Sequence, residues 1–446
     1  MNTTSFNAKI LLRITLIASI LVAVAGFLTD FNNTRKYGGI DLRDRVVGAR
    51  VASELNRDPY FFKWTSDLSD RFLDPLDNRA IPLYTRLTVT PAVLSLHSLF
   101  SEIPYKAQRY FWFFIQWVSL LGSIYLLAKI LSDNSDNRAL IWILGLLGIS
   151  GSMFWRLHSE RGQIYILYIF LFSFSFYLYD KYQKKNNNRR FNSLFVASAL
   201  IFGYLISLRP TFIFAIIPFL IYKKFKFASI IIAGMAASVL ISSLLSPAPL
   251  WKSYSRSIQL QTLLFSDETI NYQPYDQNIA DGLNLKNSLS VPGEDSSLFR
   301  IFRAVFNQWF SSQTLFILLL GFLIIISLII YKYKIPEISS RQLFFLAIAL
   351  SFFSEFFIAA PRWPYANVIW LIPLSIMIAE AKKIAVSRLV ILADVIVFLG
   401  LIANLGFHLI PRFTFIGDVG IPTATLLFLI AMLRRVSTKK DVFAVQ

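Results

Sequence analysis

Cysteine is absent from the 446 residues, and charged side chains are scarce, at 16% of the chain against 55% hydrophobic. Without cysteine there are no disulfides, no thiolate chemistry and no cysteine-based metal site, and the redox compartment leaves no mark on the sequence. A soluble globular chain carries roughly a quarter charged residues, so this shortage makes the lipid bilayer the expected solvent. Also lacking is an internal repeat, parallel or inverted, of the kind transporters often show. Acids are outnumbered, 26 Asp and Glu against 44 Lys and Arg, which leaves a net charge of +18. That excess does not point to nucleic acid. Short cytoplasmic loops collect Lys and Arg, and summed over many spans this bias alone yields a basic protein.

What is present is a series of long apolar stretches between Lys9 and Arg435. With about 20 apolar residues needed to cross the hydrocarbon, they predict an all-α polytopic membrane protein of about 11–12 transmembrane helices. The spans lie near 9–28, 107–131, 139–155, 163–180, 193–208, 210–222, 226–246, 312–333, 342–360, 365–380, 387–408 and 420–434. Arg209-Pro210 interrupts an apolar run, giving either a break between two spans or one kinked span. Counted from a cytoplasmic amino terminus, the short basic clusters, such as Lys181–Arg190, Lys223–Lys226 and Tyr331–Arg341, fall on the inside. The first span, with Lys9 and Arg13 ahead of it and Ala23-Val24-Ala25 near its end, is expected to be retained, with a cleavable signal peptide as the alternative. Two outside loops are long, at 29–106 and 247–311, where an external substrate site is expected. The chain divides accordingly into a module of 1–246, a loop of 247–311 and helices of 312–446.

The first external loop opens Tyr37-Gly38-Gly39-Ile40-Asp41-Leu42-Arg43-Asp44-Arg45. The glycines allow a sharp turn on leaving the membrane. From Asp41 to Leu55 the periodicity is helical, with Arg43, Arg50, Glu54 and Arg57 on one face, as for an amphipathic helix lying on the outer surface. As a structural residue Asp41 would be the N-cap, with Asp44 at N3. As a functional one it is a carboxylate fixed at the membrane surface beside basic groups, and the two roles are compatible. Asn56-Arg57-Asp58-Pro59-Tyr60 ends the helix in a turn. Ile81–Pro104, with Pro82, Arg86, Pro91 and His97, is too polar for a lipid-facing span and predicts re-entrant or surface helices.

These residues resemble the GT-C superfamily of membrane glycosyltransferases, most closely glycosyltransferase family 87, which includes polyprenyl-phosphate-mannose-dependent mannosyltransferases. The resemblance rests on Gly38-Gly39-Ile40-Asp41 with the helix to Asp58-Pro59-Tyr60, on Thr90-Pro91 through Ile103-Pro104, on Arg161-Gly162-Gln163 and on Leu208-Arg209-Pro210, about the first half of the chain. It implies a GT-C-like bundle, Asp41 as catalytic base and action without metal or other cofactor. In many family members a late span begins with Trp and His-Tyr, the His facing the donor phosphate. This chain has Ala360-Pro361-Arg362-Trp363-Pro364-Tyr365 there instead, which leaves the donor and the subfamily open.

Transfer from a polyprenyl-phosphate sugar needs a base for the acceptor hydroxyl and positive charge for the departing phosphate. It needs no acid for the leaving group, unlike glycoside hydrolysis, where two carboxyls are required. Guanidinium forks suit phosphate oxygens, so Arg209, Arg362, Arg161, Arg156 and His158, at the outer ends of spans, are the candidate phosphate ligands; the structural reading of each is an interfacial anchor. Gln163, Asp44, Tyr60, Trp363 and Tyr365 are candidates for binding sugar or acceptor. Asp41 and Asp44 lack further acids in a ligand constellation, so no metal is expected. The acids of the second loop, among them Asp267, Glu268, Asp276, Asp281, Glu294 and Asp295, have no ligand spacing, and that loop reads as a mobile, acceptor-facing cover. The reading that follows is an inverting transferase of a bacterial plasma membrane, with its site facing outside or the periplasm. It moves a mannose-like sugar from polyprenyl phosphate to a glycolipid or glycan. A transporter or flippase for a lipid-linked saccharide is the alternative, suggested by Glu355 and Asp394 within apparent spans.

Overall fold

The computed structural model describes residues 3–443 apart from 37, 76, 81, 83–84, 86, 133, 185–192, 266–296, 299–310, 334–337, 359–361, 382–387 and 405–412. The acids of the second long loop named above fall outside the described residues, as does Arg86. The architecture is all-α. Helix α1 (Thr3–Lys36) leads into α2 (Ile40–Glu54) and α3 (Pro91–Ser98), followed by α4 (Tyr105–Leu131), α5 (Ser135–Ile143) and α6 (Met153–Arg161). Then come α7 (Tyr165–Lys184), α8 (Ser193–Leu208), α9 (Ile216–Ile221), α10 (Phe225–Ser243) and α11 (Leu250–Phe265). The last five are α12 (Ser312–Lys332), α13 (Ser340–Ser354), α14 (Leu371–Glu380), α15 (Arg388–Asn404) and α16 (Phe413–Phe443).

Five helices are long and apolar enough to cross a membrane, namely most of α1, α4, α10, α12 and Ser340–Phe357, and four shorter apolar helices accompany them. Their outward faces carry exposed Leu11, Ile17, Leu21, Leu240, Ile317 and Ile325. Apolar surface on this scale belongs against lipid, and the protein is an integral membrane protein. Local sequence explains several ends. Ser339 and Gln342 close a capping box at the start of α13. Between α5 and α6 a π turn, Leu144–Ile149, and the Ser152 cap of α6 bend the pair by 66°. Helix α8 stops at Leu208, Arg209 is extended (φ −137°, ψ 94°), and Pro210–Ala215 continues as a 3₁₀ turn, so the interruption expected at Arg209-Pro210 is real.

Beneath that break lies a block of rings. Phe172 and Phe176 of α7, Phe202 of α8, Phe219 of α9 and Phe344 of α13 are each fully buried. Phe176 stacks on Phe344 at 4.5 Å, and Phe172 meets Phe202 edge-on at 5.4 Å. Helix α1 is tied to α6 by polar contacts: the Trp155 indole donates to Asp30 at 2.9 Å and Asn33 to Glu160 at 2.7 Å.

Candidate active site

Gly39 is in the left-handed region (φ 64°, ψ 61°) and is itself the N-cap of α2, with no side-chain cap. The expected capping role of Asp41 is thereby corrected: the turn requires glycine, its carbonyl accepts the Leu42 and Arg43 amides at 2.9 Å each, and Asp41 sits inside the first helical turn. A second left-handed glycine, Gly162 (φ 70°), closes α6 and swings Arg161 onto Asp41. Arg161 donates through Nε at 2.5 Å and Nη2 at 3.3 Å, one oxygen each. The guanidinium also lies 5.8 Å from the Trp363 ring and 5.5 Å from Tyr365.

The helix predicted at 41–55 is there, but Arg43 and Arg50 of the predicted basic face turn inward instead of lying open on the surface, while Arg57 past the helix end is exposed. Residues Arg43, Arg45 and Arg50 are buried. Arg50 satisfies three backbone carbonyls, those of Ser101 (2.9 Å), Arg71 (3.0 Å) and Ile103 (2.8 Å), and so fastens α2 to the loop. Arg45 donates to the Gly162 carbonyl and lies over Trp112. Burial pulls its guanidinium below the ordinary value, and Asp41, Tyr168 and Asp44 oppose that pull.

Asp41, Asp44, Arg45, Gln163, Tyr165, Tyr168, Arg209, Tyr254 and Tyr365 line one cavity of about 90 Å³. Its far wall is built at the α8 break. There Arg209 donates through Nε to Glu355 Oε1 at 2.7 Å, and the Thr211 hydroxyl donates to the same oxygen at 2.9 Å. Neither Nη group of Arg209 hydrogen-bonds a described residue. Tyr165 lies under this guanidinium at 5.0 Å. Arg362 is buried over Phe356 at 4.5 Å, outside the cavity wall but within electrostatic reach of Glu355 and Tyr165. A second cavity of about 90 Å³, lined by Arg43, Trp64, Phe72, Asp74 and Asp77, lies across α2, and Asp44 borders both.

Of the predicted residues, the structure therefore gathers Asp41, Asp44, Gln163, Arg209 and Tyr365 around one space, with Arg161 and Trp363 as direct neighbours. Others lie elsewhere. His158 is buried, stacked on Trp155, and its Nε2 lone pair takes the Ile166 amide at 3.1 Å. Arg156 is exposed on α6. Tyr60 is a strut, its hydroxyl donating to the Val89 carbonyl at 2.7 Å. Sequence reasoning missed Arg45, Tyr165, Tyr168 and Tyr254, and it read Glu355 as a span acid unconnected with Arg209. The one available signal was that Arg45 follows Asp41 by one helical turn. No group of His, Asp and Glu among the described residues forms a metal-binding cluster.

A family model described as Glycosyltransferase family 87 matches residues 88–361, more than half of the chain. No curated protein and no solved structure matches it.

Proposed function

The chain belongs to glycosyltransferase family 87 and is a membrane glycosyltransferase; from that premise we propose that the cavity between α2 and the α8 break transfers a sugar from a polyprenyl-phosphate donor. The acceptor is a glycolipid or glycan on the external face, and the sugar is mannose-like. One observation carries this reading: a carboxylate, Asp41, and a guanidinium, Arg209, share a single cavity while each is held by its own partner.

In this mechanism Asp41 is the base. Its oxygens accept one bond each from Arg161, and since a carboxylate offers about four acceptor positions, room remains for an acceptor hydroxyl. The acceptor oxygen attacks the anomeric carbon, its proton passes to Asp41, and the bond from that carbon to the phosphate oxygen breaks with inversion. The electron pair leaves with the lipid phosphate, which meets the Nη face of Arg209 and the positive field of Arg362. Gln163 and the Tyr165 and Tyr365 rings offer polar and flat surfaces to the sugar. An apolar groove of about 400 Å³, lined by Ala92, Leu96, Leu99, Leu200, Tyr204 and Ile241, opens beside the cavity. Thr90 and Leu208 border the cavity within a turn of Ala92 and Tyr204, so an isoprenoid tail in the groove places its phosphate at Arg209.

The test incubates purified protein with labelled polyprenyl-phosphate sugars and membrane glycolipids. Wild type yields a glycosylated product, and Asp41→Asn loses about a hundredfold to ten-thousandfold in rate while remaining folded. Full activity in that variant removes the mechanism. The transporter alternative draws on Glu355 and Asp394, and Glu355 is engaged by the cavity-lining Arg209. Movement of substrate across proteoliposomes without product would favour that alternative.

A further inference from the structure

Glu355 is a buried acid paired with the cavity-lining Arg209, and the transfer step does not use it. Its side chain is 4% exposed, it stands where α13 ends, and one of its oxygens holds both Arg209 Nε and the Thr211 hydroxyl. A carboxylate removed from water this thoroughly is costly unless paired, and here a single guanidinium pairs it. Among the residues that line the cavity or directly hold its lining, three guanidinium groups (Arg45, Arg161 and Arg209) stand against three carboxylates (Asp41, Asp44 and Glu355), so these charges balance.

The two phosphates that occupy the proposed site differ in charge. The donor is a phosphodiester with one negative charge. The product is a phosphomonoester, which carries about −1.5 to −2 at neutral pH. A site whose Arg209 already has a carboxylate beside it gains less from the second negative charge of the product than one in which that carboxylate were absent. We propose that Glu355 is a release-tuning residue, an internal counter-ion that shares Arg209 with the lipid phosphate and keeps the site from retaining the dianionic product. The proposal rests on the functional reading above. It assigns Glu355 a role acting through Arg209, not on the reacting atoms. Glu355 differs in this from Asp41, which accepts a proton, and from Arg161, which holds Asp41.

The sign of the expected effect separates tuning from mere scaffolding. If Glu355 only oriented Arg209, neutralising it would loosen phosphate binding; if it competes for Arg209, neutralising it tightens binding even as the empty protein becomes less stable. The experiment measures binding of a polyprenyl monophosphate, with the uncharged polyprenol of equal length as control, to detergent-purified wild type, Glu355→Gln and Glu355→Asp. Wild type binds the phosphate more tightly than the alcohol. Glu355→Gln binds it about tenfold tighter again, its melting temperature is lower without ligand and rises further with it, and in turnover it shows stronger inhibition by added polyprenyl phosphate. Glu355→Asp, which keeps the charge but retracts it from Arg209, shows the same change at smaller size and serves if the Gln variant does not fold. Equal or weaker phosphate binding in the variants overturns the proposal. A wild type that does not distinguish phosphate from alcohol overturns the functional reading instead.

Discussion

Arg161 is the side chain on which the geometry of the carboxylate depends, because its two nitrogens take one oxygen of Asp41 each while two rings hold its flat face. Lysine keeps the charge but not the fork. Arg161→Lys is therefore expected to lower kcat by about tenfold to a hundredfold, the size of effect that a displaced reacting group produces, with the donor KM nearly unchanged. A raised donor KM at constant kcat would put Arg161 on the phosphate instead. Reading the chain alone singled out two residues that line the cavity, Asp41, because Gly38-Gly39 marks a turn that sets the next acid in place, and Arg209, because a proline after an arginine breaks a helix. It could not join Arg209 to Glu355, which lie 146 positions apart with no local pattern linking them. Nor could it tell that His158 spends its ring nitrogen on a backbone amide.

At the scale of elements, α2 and the segment 87–90 that leads into α3 line the site, and α2 and α3 are packed together in the loop between α1 and α4. His97 of α3 is buried 4.9 Å from the Trp112 ring, and burial, assisted by Arg45, pushes its imidazole well below the ordinary range. The folded protein thus keeps His97 neutral while the unfolded chain takes up a proton near pH 6.5. Its contribution is complete above that pH and is lost as pH falls, by about 1.4 kcal/mol one unit below. Melting temperatures at pH 7.5 and 5.5 should fall more steeply for wild type than for His97→Gln, and equal slopes would refute this. The helix expected at 41–55 is observed at 40–54, since its periodicity and the glycine turn both mark it. That its arginines face inward was not legible, because Arg50 is satisfied by carbonyls of Arg71, Ser101 and Ile103 that only tertiary structure brings near.

For the whole molecule, the sequence division at residue 246 is bridged at the site itself. The 3₁₀ turn Pro210–Ala215 packs on α13, and Arg209 reaches Glu355 across that contact. Separating the halves leaves both charges without partners, at about 3–5 kcal/mol for a buried pair broken on one side. A fragment of residues 1–246 expressed alone should bind no polyprenyl phosphate, and coexpression with 247–446 should restore binding; a competent isolated fragment would argue for an autonomous module. The ring block formed by Phe172, Phe176, Phe202, Phe219 and Phe344 has a different consequence. A stopper of hydrocarbon offers no wire of water molecules along which a hydrogen ion could hop toward the opposite leaflet. On the proposed mechanism, the proton that Asp41 takes must return through the mouth by which the substrates came, and turnover in sealed vesicles should be indifferent to an imposed proton gradient.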